Sequence, residues 1–79
     1  MTHDIPEDVP NSTIEYCISE YVRLERDRAI LREHWFCGAS FYVLAERYGV
    51  TINTVKRVVY SQGDKVLLRA AKIYNRKMT

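Results

Sequence analysis

Apolar residues recur at intervals of three and four along most of this chain, the spacing of amphipathic helices. Ile14, Cys17, Ile18, Tyr21 and Val22 fall on one stripe of a helical wheel. Ser12, with Glu15 three positions later, reads as a capping box that opens this helix, hydroxyl and carboxylate each satisfying a backbone N–H of the first turn. Beyond Arg23 the stripe moves, because Leu24, Ile30, Leu31 and Trp35 lie about a quarter-turn away from it. Two readings follow: a break within residues 22–27, or one long helix that packs against different neighbours along its length. Gly38 is placed to close the segment in the left-handed conformation, and Ser40 to cap a short apolar helix from Phe41 to Tyr48. Gly49 stops that helix, and Thr51 caps another over residues 52–62. Gly63 reads as its end, with Asp64 capping a last helix over residues 65–76. Strand-like alternation bounded by hairpin signals is absent, as is any repeat of fixed period. The pattern therefore predicts an all-α fold, a small bundle of four to five helices containing a helix-turn-helix.

The helix-turn-helix spans residues 40–62. Two helices joined by a tight turn need a small residue where the backbones approach and a glycine where the chain reverses, and Ala45 and Gly49 supply them. Val50 can plug the gap between the helices, while Val55, Val58 and Val59 give the second helix an inward face. Projected at about 100° per residue, Asn53, Lys56, Arg57 and Tyr60 lie opposite those valines, with Thr54 and Ser61 on the flank. These residue types suit a major groove. Arg57 matches the two acceptors of a guanine edge and Asn53 the acceptor and donor of an adenine, whereas Lys56 and Tyr60 suit phosphates. Ser40 and Thr51, at helix N-termini, can offer hydroxyl and backbone N–H groups to phosphates. The candidate DNA-binding residues are thus Ser40, Thr51, Asn53, Thr54, Lys56, Arg57, Tyr60 and Ser61.

Charge adds a second signal. The net charge is only +2, but residues 1–20 hold five acids and no Lys or Arg, while residues 51–79 hold seven bases against Asp64 alone. A basic C-terminal third is the electrostatic footprint of a phosphate-binding surface, since Lys and Arg displace counterions from nucleic acid. Residues 1–11 read as a flexible acidic arm and residues 12–79 as a single domain, in keeping with a length of 79 residues. No apolar run suits a membrane span and the N-terminus lacks the pattern of a signal peptide, so a cytoplasmic protein is expected. Cys17 and Cys37 read as small buried hydrophobes in a reducing compartment.

The segments Asp27-Arg28-Ala29-Ile30-Leu31, Gly38-Ala39-Ser40, Leu44-Ala45-Glu46, Gly49-Val50-Thr51 and Thr54-Val55-Lys56-Arg57 together resemble the fourth region of bacterial sigma-70-type factors. The resemblance covers about half the chain. In that family the region is a helical bundle whose helix-turn-helix reads an upstream promoter element, and the pattern recurs in short phage and bacterial regulators. It implies recognition-helix roles for Thr51, Asn53, Thr54, Lys56 and Arg57. The chain has no room for the polymerase-binding and promoter-melting region of a complete sigma factor, so the resemblance implies a small regulator with the same reading head.

The expected function is sequence-specific binding of double-stranded DNA, with the helix over residues 52–62 in the major groove. Two alternatives stay open: an adaptor that binds RNA polymerase or another regulator through the acidic arm or the Tyr16 and Tyr21 face, and the DNA-recognition part of a recombination or packaging complex. Cys17, His34 and Cys37 invite a metal reading but lack a fourth ligand at finger-like spacing, and no catalytic constellation stands out, so neither a cofactor nor an enzyme is expected. Leu67, Ala71, Tyr74 and Met78 form an amphipathic stripe on the last helix, suited either to covering the core or to a two-fold dimer contact.

Overall fold

The computed structural model describes residues 9–78, with side chains described as far as residue 74. Most of the acidic arm and the side chains of Arg76, Lys77 and Met78 lie outside the described residues. Five α-helices follow in order: α1 (Asn11–Tyr21), α2 (Glu25–Cys37), α3 (Phe41–Tyr48), α4 (Ile52–Arg57) and, after a π-helical stretch (Val58–Gln62), α5 (Gly63–Met78). Among the described residues there is no strand, and no helix is long and apolar enough to cross a membrane. The fold is an all-α bundle.

The first helix begins without the expected capping box. Pro10 occupies the cap position in extended conformation, and its carbonyl accepts from the N–H groups of Thr13 and Ile14, so Ser12 already lies inside α1 and makes no cap. Val9 explains the earlier start: it is buried in the core, which fixes the chain one step ahead of Pro10. Glu15, freed from the box, accepts from Arg32 Nε of α2 at 2.7 Å, and the same guanidinium reaches Ser19. The two readings of the stripe shift resolve as a break. Residues 22–24 are extended, Val22 is buried, and Arg28 Nε donates to the Val22 carbonyl at 2.5 Å, which pins the turn.

Gly38 and Gly49 end their helices in the left-handed region, at φ 74° and 66°. Ser40 accepts from the Val43 N–H and Thr51 from the Thr54 N–H, so both caps form as the sequence predicts. Gly63 does not end a helix. Its φ and ψ of −61° and −41° are helical, its N–H donates five residues back to the Val58 carbonyl, and the helical backbone runs unbroken from Ile52 to Met78. Position 64 consequently lies inside the helical run and not at its N-cap. The reason lies in packing: a β-carbon at position 63 would sit 3.0 Å from Trp35 Cζ2 of α2, so the glycine marks a close helix–helix approach.

The core joins Ile14, Cys17 and Ile18 of α1, Ile30 and Leu31 of α2, Leu44 and Ala45 of α3, and a continuous face of the long rod formed by Val55, Val58, Val59, Val66 and Ala70. The last helix therefore covers the core through Val66 and Ala70, next to α1, and Leu67, Ala71 and Tyr74 flank that contact only partly buried. Cys37 is exposed, against expectation, because it falls on the solvent side at the end of α2; Cys17 is buried, and both thiols are free.

Truncating a fully buried Ile or Leu to Ala costs about 2–5 kcal/mol, a large part of the 5–15 kcal/mol that holds a domain together. An exposed ion pair such as Arg47–Glu33 contributes about 0–1 kcal/mol. The core thus holds the bundle, and polar contacts tune it. Asp27 is the one buried charge among the described residues. Gln62 Nε2 donates to its Oδ2 and Arg26 Nε to its Oδ1, so both carboxylate oxygens are paired and α2 is tied to the π-helical stretch.

Candidate nucleic-acid interface

Helix α3, the turn Gly49-Val50-Thr51 and helix α4 form the helix-turn-helix. Three features hold it in place. Leu44 and Ala45 of α3 are buried with Val55 of α4, Val50 is partly buried against the same core, and Glu33 of α2 accepts from both Arg47 and the Tyr48 hydroxyl of α3. That pairing with Glu33 raises the Tyr48 pKa above its ordinary value of 10, with burial adding to the effect.

The inward valines fix which side of α4 faces out. Val55, Val58 and Val59 are buried, while Asn53, Lys56, Arg57 and Ser61 are exposed, Tyr60 is borderline at 38% and Thr54 is half-buried. From Arg47 to Gly63 there is no acidic residue, and Arg47 is already paired, so the charge of this face comes from Lys56 and Arg57. Tyr60 packs edge-on against Phe41, ring centroids 5.9 Å apart, and Phe41 lies against His34 at 4.9 Å. This stack brings the start of α3, with Ser40, to the Tyr60 flank of the rod. Thr51 and Thr54 share the opposite end of α4, their hydroxyls 3.0 Å apart.

Ser40 and Thr51 have a narrower role than a free hydroxyl would have. Each oxygen accepts a backbone N–H of its own helix; the Ser40 proton remains to donate to a phosphate, while the Thr51 hydroxyl shares one proton with the Thr54 hydroxyl and the pair keeps one to donate. The regular α-helix also stops at Arg57, where the sequence reads it as continuing to residue 62. Tyr60 and Ser61 therefore lie in the wider π-helical turn, which is rare and often marks a functional position. One residue was missed by the sequence reading. Tyr42 of α3 is 74% exposed, beside Ser40, on the helix that crosses the nucleic-acid backbone in such motifs. Its signal was available, since position 42 lies about 160° from Leu44 on the wheel.

Cys17, His34 and Cys37 do not converge. Cys17 is in the core, His34 Nδ1 lies 2.9 Å from the Ala39 carbonyl, and among the described residues no group of three potential ligands is placed to hold a metal ion. Fold and face together define a class, a small all-α protein with a helix-turn-helix whose second helix presents an exposed, acid-free face. Comparisons with protein-family models, with curated proteins and with solved structures found no match to this chain.

Proposed function

We propose that this protein binds double-stranded DNA sequence-specifically and acts as a small transcription regulator, laying α4 and the π-helical stretch in the major groove. The observation that carries the reading is the two-sidedness of that rod: buried valines on one face and Asn53, Lys56, Arg57 and Ser61 exposed on the other. A major groove about 12 Å wide admits one helix, and the purine edges there match Arg57 and Asn53. Lys56, Tyr60 and Tyr42 take the phosphate-contacting part, with Ser40, Thr51 and Thr54 fixing the register. With Lys56 and Arg57 as its cations, the face gives a salt dependence with a log–log slope of about −2.

Selection from a random duplex pool tests the reading directly. A defined site is expected to emerge, and its symmetry reports the assembly, since half-sites about 34 Å apart accompany a two-fold dimer. On the selected site, Arg57→Ala is expected to weaken binding by about 1–3 kcal/mol and relax one base position. Lys56→Ala should weaken all sequences alike and lower the salt slope by about one. Failure of the folded protein to enrich any duplex at low salt would remove the proposal.

A further inference from the structure

The opposite flank of the same rod carries a feature that lies outside the proposed recognition face. On a wheel of about 100° per residue, Gln62 and Lys65 point roughly away from Tyr60. There they meet the α1–α2 turn in a cleft of about 290 Å³ lined by Tyr21, Arg23, Leu24, Gln62 and Lys65. Arg69 lies over the Tyr21 ring, its guanidinium carbon 5.1 Å from the centroid. We propose that this cleft docks an acidic protein segment bearing an apolar side chain.

Three observations carry the proposal. First, Leu24 is 58% exposed and Tyr21 44%, so two large apolar side chains meet solvent side by side at the cleft. Second, Leu24 occupies the N-cap position of α2, where it makes no cap, and leucine is among the poorest residues there. Residues that break a local rule without an internal gain concentrate at functional sites. Third, the turn is held rather than loose. Val22 is buried, its N–H donates to Ile18 and its carbonyl accepts from Arg28, so Arg23 and Leu24 are presented in a fixed arrangement.

The chemistry of the lining selects the occupant. The cleft has two cations and no acid in its wall, with Arg69 over the Tyr21 ring; the Asp27 carboxylate that Gln62 binds is buried and is not part of the lining. Cations recruit carboxylates, and the apolar floor rewards a Leu, Ile, Phe or Trp side chain, which a phosphate backbone does not offer. The volume suits one such side chain with its acidic neighbours.

The test uses the full chain and a displayed library of random 12-residue peptides. Enriched peptides are expected to place Asp or Glu around a large apolar residue. Binding should fall at least ten-fold on Leu24→Ser and on Lys65→Glu. Leu24→Ser is the sharper variant, because serine is a good N-cap: the fold should gain stability while peptide binding is lost, which a purely structural role for Leu24 cannot produce. Peptides that bind the Leu24→Ser/Lys65→Glu double variant as well as the parent, or no enrichment at all, overturn the proposal. Displacement of the peptide by duplex DNA, with Lys65→Glu/Arg69→Glu weakening DNA binding as much as Lys56→Ala/Arg57→Ala, would assign the cleft to the DNA backbone and overturn it equally. The proposal stands or falls separately from the DNA reading, which Asn53, Lys56 and Arg57 carry.

Discussion

Gly49 and Gly63 punctuate the same stretch of chain and look alike in sequence, yet they are glycine for different reasons. Gly49 has φ 66° and nothing within 4 Å of where a β-carbon would stand. Gly63 has ordinary helical angles and Trp35 at 3.0 Å. At Gly49 the backbone dictates the residue; at Gly63 a neighbour 28 positions earlier in the chain does. The helix-turn-helix is thus framed by local chemistry, while the junction that joins it to α5 is framed by packing between distant segments.

The largest expected effect breaks this comparison if it fails. Gly63→Leu adds a branched side chain against Trp35, and overpacking of this kind costs about 1–3 kcal/mol or more, partly offset by the roughly 1 kcal/mol gained in helix propensity. A net loss of about 2 kcal/mol, read from urea unfolding, is expected. Gly63→Ala should be nearly neutral, because the same propensity gain offsets a shift of a few tenths of an ångström in the indole. Trp35→Phe removes the contacting atom, so Gly63→Ala becomes stabilising in that background. Additivity of the two substitutions in a double-mutant cycle would contradict the contact.

Gly49→Ala probes the other side of the comparison. An L-residue in the left-handed region costs about 1–2 kcal/mol, and asparagine, which tolerates that region, should recover part of it at position 49. Asparagine at position 63 should recover nothing, since space and not conformation is limiting there. Equal behaviour of the two asparagine variants would mean that the glycines play the same role.

What could be read from sequence divides along the same line. Gly38, Ser40, Gly49 and Thr51 were legible because each acts through its own backbone angles or on a backbone group within five residues of itself. The outward face of α4 was legible because Val55, Val58 and Val59 declare the inward one. Gly63 was misread as a terminator because the residue type alone does not tell conformation from space. The apolar positions 55, 59, 66 and 70 keep one phase across it, a signal that the helix continues. Ser12 failed as a cap because burial of Val9 set the start of α1 earlier. The contacts Asp27–Gln62 and Glu33–Tyr48 leave no periodic trace at all, since their partners lie 35 and 15 positions apart. The wheel places Leu24 on an inward stripe, and only the extended turn at residues 22–24 turns it outward.

The caps give a smaller, sharper contrast. Ser40→Ala and Thr51→Ala each remove an acceptor for a first-turn N–H and should cost about 1 kcal/mol, measured by thermal or urea unfolding. Ser12→Ala, at a serine that caps nothing, should stay within about 0.5 kcal/mol. A cost at position 12 as large as at 40 would restore the capping box and place the start of α1 at Ser12 in solution.

Alkaline pH separates the contacts between distant segments from the caps with the smallest perturbation, since neutral serine and threonine caps do not titrate there. Burial pushes the Cys17 thiol above its ordinary value of about 9, against a weaker opposing pull from Arg69. The thiol of the unfolded chain ionises first, so above that value the unfolded state binds fewer protons than the folded one and stability falls as pH rises. Below it the contribution is complete. Tyr48, raised by its hydrogen bond to Glu33, adds a second decline that begins above about 10. Unfolding free energy followed from pH 7 to 11 should therefore fall in two steps. Cys17→Ala should flatten the first step and Tyr48→Phe the second, even though both variants start from lower stability at pH 7. A first step that survives Cys17→Ala would mean that the α1 core does not withhold the thiol from water, and that the packed half of the bundle is looser than the half framed by its caps.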